Sequence, residues 1–152
     1  MPQLSTTRRV QHPAAAMFDL VADVDHYPEF VPLCESLSVR QRLKQGGKDI
    51  VVADMTVAYK VVRQTFTSRV TLDRRNQEIL VEYLEGPFRR LNNTWKFRPA
   101  APEVCDVDFF IAYEFKSRAF DLLMGAVFDT AFRRFVAAFE RRADQVYGTR
   151  AA

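Results

Sequence analysis

Within twelve residues, "HYPEFVPLCESL" (26–37), the chain places His26, Glu29, Cys34 and Glu35. A thiol, an imidazole and a carboxylate are the parts of a nucleophile, its base and the group that orients the base, the set used for hydrolysis through a covalent intermediate. His26 and Cys34 stand eight residues apart with Pro28 and Pro32 between them, a spacing that neither forces nor forbids contact. Each residue also has a plainer role. His26 fits a helix cap or surface position, Cys34 a small buried hydrophobe, and Glu29 and Glu35 solvated charges. The other histidine, His12, sits beside a helix start and reads as a turn residue. Cys34 and Cys105 make no metal or redox spacing with each other, and no Gly-rich phosphate loop is present. The expectation is free thiols, no metal, no nucleotide and no catalytic residue.

The elements around this segment decide which role applies. Residues 3–11 read as a strand with Leu4, Thr6, Arg8 and Val10 on one side. A helix follows Pro13, carrying Met17, Phe18, Val21 and Val24 at helical spacing. "DHYPEF" breaks it and starts a second short helix, which Pro32 ends by excluding the α conformation from the residue before it. From Leu33 the period changes to two. Six alternating strands run to Phe115, with Leu37, Val39, Gln41 and Leu43, then Val51 to Tyr59, Val62 to Leu72, Leu91 to Phe97 and Cys105 to Phe115 supplying the inward faces. A long helix, about 117–147, carries Phe120, Leu123, Met124, Val127, Phe128, Phe132, Phe135, Phe139 and Val146 on one stripe. The order strand, two short helices, six strands, long helix predicts an α+β fold in which a curved antiparallel sheet wraps the last helix.

One domain of 152 residues is long enough to bury a core. Thirteen Phe residues signify either dense packing or an apolar cavity. Polar groups on the expected inward faces are Gln41, Gln64, Ser68, Asn93 and the hydroxyls of Tyr59 and Tyr113. None is an Asp, Glu, His or Lys, which argues against a proton-transfer enzyme and for a mostly apolar small-ligand site with a few placed donors. The net charge of +3 rests largely on Arg, often paired as in Arg8–Arg9 and Arg133–Arg134. Acidic residues are interspersed, which suits a solvated surface better than a nucleic-acid site. No apolar run reaches the roughly 18 residues of a membrane span, and "MPQLSTTRRV" has no hydrophobic signal core. The expected location is the cytoplasm, with peripheral contact at the inner membrane.

Three stretches carry a family resemblance: "MFDLVADVDHYPEFVPLC" (17–34), "GPFRRLNNTWKF" (86–97) and "FDTAFRRFVAAFERRA" (128–143). With the element order, they resemble the START-like, or Bet v 1-like, helix-grip superfamily. The branch is that of coenzyme Q-binding and polyketide cyclase-like proteins, which also contains ribosome-association toxins of the RatA type. The resemblance spans nearly the whole domain, with a core of about 3–147. It implies an internal cavity for ubiquinone or a related isoprenoid lipid, bound as ligand and not as cofactor, in a carrier or chaperone that supports respiratory electron transport. The alternatives it implies are a toxin that binds ribosomal subunits and blocks their association, and a cyclase or aromatase. The candidate cavity lining is Phe30, Val31 and Leu33 from the proline segment, Tyr59, Gln64, Phe66, Asn93, Trp95, Phe109 and Tyr113 from the strands, and Met124, Phe128, Phe132 and Phe135 from the last helix. Under this reading the proline segment is a lid over the cavity.

Overall fold

Seven strands form one antiparallel sheet in the order β1-β7-β6-β5-β4-β3-β2 in the computed structural model, which describes residues 2–148. Met1 and residues 149–152, included in the single-domain expectation, lie outside the described residues. The strands are β1 (Gln3–Val10), β2 (Cys34–Gln45), β3 (Lys48–Tyr59), β4 (Val62–Asp73), β5 (Glu78–Glu85), β6 (Phe88–Ala101) and β7 (Val104–Phe115). Helix α1 (Ala14–Ala22) and a 3-10 helix (Val24–Glu29) connect β1 to β2, and α2 (Arg118–Tyr147) closes the chain. The six strands from β2 to β7 form the expected meander. β1 adds to its far edge against β7, with Leu4 opposite Ile111 and Val10 opposite Cys105.

The sheet curves because its ladders contain bulges, which bend a strand and raise its twist. The shift between Val39 and Gln41 also exchanges the faces of β2. Val39 pairs with inward Ala53, whereas Gln41 pairs with Val52 and Arg42 with Val51. Gln41 is therefore exposed, contrary to strict alternation. A further bulge sets Thr67 against Glu85 and Ser68 against Tyr83. Gly86 closes the adjacent β5–β6 turn at a φ of 145°, and a Cβ there would lie 2.5 Å from Cβ of Phe66. That close approach accounts for the glycine in "GPF".

Helix α2 starts at Ser117, whose Oγ accepts the Phe120 amide at 3.1 Å, an N-cap in the usual sense. It buries Met124, Phe128, Ala131, Phe132, Val136, Ala138, Phe139 and Ala143. Leu123 and Val146, expected in the stripe, are exposed, Leu123 to 65%. Leu123 is five residues from Phe128, about 140° around the helix at 3.6 residues per turn, so it leaves the buried face. His12 lies in the bend before α1, as its turn position leads one to expect, but its side chain is not at the surface. It is fully buried, and its Nε2 lies 2.7 Å from Oδ1 of Asp144. With the Tyr147 hydroxyl donating to the Ala16 carbonyl at 3.1 Å, it pins the end of α2 to the start of α1.

Rings fill the region between the start of β6 and the first half of α2. Phe88, with no exposed surface, stacks on Phe115 at 4.9 Å and meets Phe66, Tyr83, Tyr113 and Phe128 edge-on at 5.6–6.1 Å. Edge-to-face pairs of this kind add to the gain from burial alone.

Candidate functional site: an apolar cavity between sheet and helix

Farther along the groove between sheet and α2, the rings do not fill the space. A cavity remains, with about 90 Å³ of space open to water-sized spheres, several times what one buried water needs. Its floor is the inward face of β3, β4, β5, β6 and β7: Ala53, Met55, Val57, Phe66, Ser68, Val70, Val81, Leu91, Asn93, Trp95 and Ile111. Its roof is α2, through Phe128, Ala131, Phe132, Phe135 and Phe139, and one wall is Val24, Tyr27, Pro32, Leu33 and Leu37. A narrower crevice, too tight for water, shares Leu33, Val57 and Phe128 with the cavity and runs out past Gln64, Met124 and Phe120 to Tyr59.

Among the expected lining residues, the cavity brings together Leu33, Phe66, Asn93, Trp95, Phe128, Phe132 and Phe135. Tyr59, Gln64 and Met124 line only the crevice, and Tyr59, at the end of β3, is 37% exposed. Four others pack away from the space. Phe109 is wedged under Trp95 at 4.7 Å and Phe135 at 6.1 Å. Tyr113 lies edge-on to Phe132 at 5.0 Å, and burial pushes its phenol up to about 12. Val31 belongs to the core. Phe30 meets Phe139 at 5.0 Å with the Arg142 guanidinium over its ring. The candidate lining left out Tyr27, Ala53, Ala131 and Phe139, and Ser68 entered it only as a polar group on an inward face. The usable signal was size: Ala53, Ser68 and Ala131 are small residues on inward faces otherwise built from large ones, and space opens beside them.

Three lining side chains are polar. Tyr27 donates its hydroxyl to the Val21 carbonyl, and burial raises its pKa far above the ordinary phenol value. Asn93 donates from Nδ2 to the Phe110 carbonyl at 2.8 Å and accepts from Nε1 of Trp95 at 3.2 Å. Ser68 is 7% exposed, and its Oγ has no hydrogen-bond partner among the described residues. Among the described residues, no Asp, Glu, His, Lys or Arg lines the cavity.

The residues of "HYPEFVPLCESL" do not converge on a reaction centre. His26 is half-exposed and lies 2.6 Å from Asp23; that hydrogen bond raises its pKa. Glu29 pairs with Arg142 at 2.6 Å, and Glu35 with Arg63 at 2.7 Å, so neither is merely solvated. The bond from Arg63 holds the Glu35 carboxyl below its usual range. Cys34 is buried, its Sγ faces the Ser36 carbonyl at 3.7 Å, and burial pushes the thiol up to about 11. A thiol at that value is not an activated nucleophile. What the segment does supply is backbone shape. Pro32 leads into Leu33 at a φ of 68°, an uncommon conformation for a bulky residue, and this aims Leu33 into both cavity and crevice. Both cysteines are free. Among the described residues, no group of three or more His, Cys, Asp or Glu could hold a metal, and no helix is long and apolar enough to cross a membrane.

The profile of the family described as polyketide cyclase / dehydrase and lipid transport matches residues 10–140. The chain belongs to that family. It is 36% identical to the ribosome association toxin RatA of Escherichia coli over 150 residues, covering 99% of this chain and 92% of that one. It is 31% identical to the coenzyme Q-binding protein COQ10 homolog B of Xenopus laevis over 135 residues, 87% of this chain and 54% of the relative. Among solved structures, an 18 kDa protein of Caulobacter crescentus is 35% identical, with a TM-score of 0.77, 98% of this chain and all of that one covered. The Zhui aromatase/cyclase of a Streptomyces species, 19% identical, superposes with a TM-score of 0.79 over 95% of this chain and 94% of its own; that likeness concerns the fold. The α+β helix-grip architecture expected from the sequence is the one found, shared with a START superfamily protein of Mycobacterium smegmatis.

Proposed function

We propose that this family member is a binding protein for an elongated apolar ligand, with a quinone-headed isoprenoid as the best fit. The observation that carries this reading is the composition of the cavity. An almost wholly apolar lining gains about 0.8 kcal/mol for each CH₂ it removes from water, and an isoprenoid offers many such groups. Neutral donors suit carbonyl oxygens, and no fixed charge has to be desolvated on binding. The family description includes lipid transport, and a relative is named for binding coenzyme Q. The cavity holds a ring-sized head. A long tail has to leave it, and the apolar crevice past Leu33, too tight for water as it stands, would have to widen to pass the tail. An acid–base catalyst needs a titratable group at the reacting atoms. The lining offers only the Tyr27 phenol, already committed to Val21, which favours carriage over cyclisation.

The test is organic extraction of the purified protein followed by mass spectrometry, with added ubiquinone titrated into the extracted protein. A co-purifying isoprenoid or saturable ubiquinone binding is the expected outcome. Neither being found would end this reading.

Ribosome binding is a second reading, favoured by the relatives named RatA that match along nearly the full chain. Most of the paired arginines are already matched by carboxylates: Arg8 with Glu140, Arg9 with Asp106, Arg74 with Asp19, Arg89 and Arg90 with Glu114, Arg133 with Asp129 and Arg142 with Glu29. Arg75, Arg134 and Arg141 have no ion pair among the described residues and are the basic groups to consider. Co-sedimentation with ribosomal subunits that weakens with salt would support this reading, and no co-sedimentation at low salt would remove it.

A further inference from the structure

Resting on the ligand-binding reading of the cavity, we infer that Ser68 is the residue that holds the ligand's polar head, through a hydrogen bond from its Oγ–H to a ring carbonyl oxygen. Buried polar groups in folded proteins are nearly always hydrogen-bonded, and each exception needs an explanation. Ser68 is such an exception. It stands in the middle of β4, opposite Ala53 on β3 and Tyr83 on β5, it is more than nine-tenths buried, and its Oγ is unpartnered. The side chain lines the cavity.

The neighbours do not relieve it. Asn93, two strands away on the floor, donates one Nδ2–H to Phe110 and accepts from Trp95, with no hydrogen bond to Ser68, and the Tyr27 hydroxyl is engaged by Val21. The rest of the lining is hydrocarbon, aromatic ring, the Trp95 indole already bonded to Asn93, and the Met55 thioether. A water in this space would find Ser68 and the remaining capacity of the Asn93 amide, fewer partners than the about three hydrogen bonds that buried waters make. A ligand oxygen needs only one. The group that fits is an acceptor carried on an otherwise apolar body, and a quinone carbonyl meets that description while a plain hydrocarbon does not. This sets the polarity of binding. The head lies over the centre of the sheet beneath Ala131, and the tail runs along Leu33 toward the crevice.

The competing explanation is that Ser68 is merely small, leaving room as Ala53 does. Ser68→Ala separates the two, because it keeps the room and removes the hydroxyl. Two probes are titrated into wild type and S68A: a ubiquinone with a two-isoprene tail, and a hydrocarbon with the same tail on an unsubstituted benzene ring. The expected result is a loss of about 3–10-fold in quinone affinity, the worth of one neutral hydrogen bond, with hydrocarbon affinity unchanged or tighter. Thermal unfolding of ligand-free S68A should occur no lower than that of wild type, since a buried unpaired oxygen has been removed. Equal quinone affinity in the two proteins, or an equal loss for both probes, would overturn the role of Ser68 and leave the cavity reading standing. If neither probe binds wild type, both inferences fall.

Discussion

Two regions of this molecule are made from the same parts with opposite results. Around Phe88, the inward residues of β4, β5, β6 and β7 meet α2 ring against ring, with Phe115 and Phe128 closing the last gaps. Over the next two turns of the same helix, Phe132 and Phe135 face the same strands and a cavity stays open beside them and Phe128. Phe128 belongs to both regions. The difference lies in what accompanies the rings: Phe88 and Phe115 on the packed side, Ala53, Ser68 and Val70 on the strands and Ala131 on α2 itself on the open side. A surplus of Phe therefore does not choose between dense core and binding space. The small residues interleaved with it do.

Substitutions should separate the regions sharply. Phe88→Ala removes a ring from the packed side and should destabilise the protein by about 3–5 kcal/mol, measured by denaturant unfolding; a loss under about 1 kcal/mol would mean that this region is not close-packed. Ala131→Leu adds bulk to the open side. It should change stability by no more than about 1–2 kcal/mol in either direction, yet lower ligand affinity at least tenfold in a ubiquinone titration.

The two buried thiols sharpen the contrast further. Cys34 lies beside the lip formed by Leu33, whereas Cys105 has no exposed surface in β7. Burial raises both to about 11, above the roughly 8.5 of an unfolded cysteine. Their contribution to stability is therefore complete below about pH 8.5 and is lost as pH rises toward 11, because the unfolded chain releases these protons first. Alkylation followed by mass spectrometry should find Cys34 reacting before Cys105, with ubiquinone slowing Cys34 alone. The smallest effect is expected on the convex face. There Arg98 pairs with Asp108 at 2.6 Å with its side chain more than half exposed, and Arg98→Ala should shift a denaturant midpoint barely beyond error, as exposed pairs do.

Much of this architecture was legible in the residue pattern. The change from helical to two-residue period at Leu33, the turn glycines and the aromatic stripe of α2 are local signals, and the sheet and helix they predict are present. The misplacements have local causes of another kind. A bulge after Val39 turned Gln41 outward, and no alternation pattern announces a bulge. Phe30, Val31, Phe109 and Tyr113 are apolar or aromatic like the lining residues, but they fill space instead of bordering it, which depends on three elements meeting. His12 sits in the expected turn, but its burial was not legible because its partner, Asp144, is 132 residues away. Ser68 could be placed on an inward face from the sequence, but its lack of a partner could not.

The central claim, that the open region is a ligand site, has a direct reporter. Trp95 is the only tryptophan in the chain and lines the cavity. Its fluorescence should be quenched saturably, at one equivalent, when a short-tailed ubiquinone is titrated into the wild-type protein, and the saturable phase should disappear in Ala131→Leu. Quenching that rises linearly without saturation, and equally in both proteins, would show that the quinone only collides with the surface and would contradict the account.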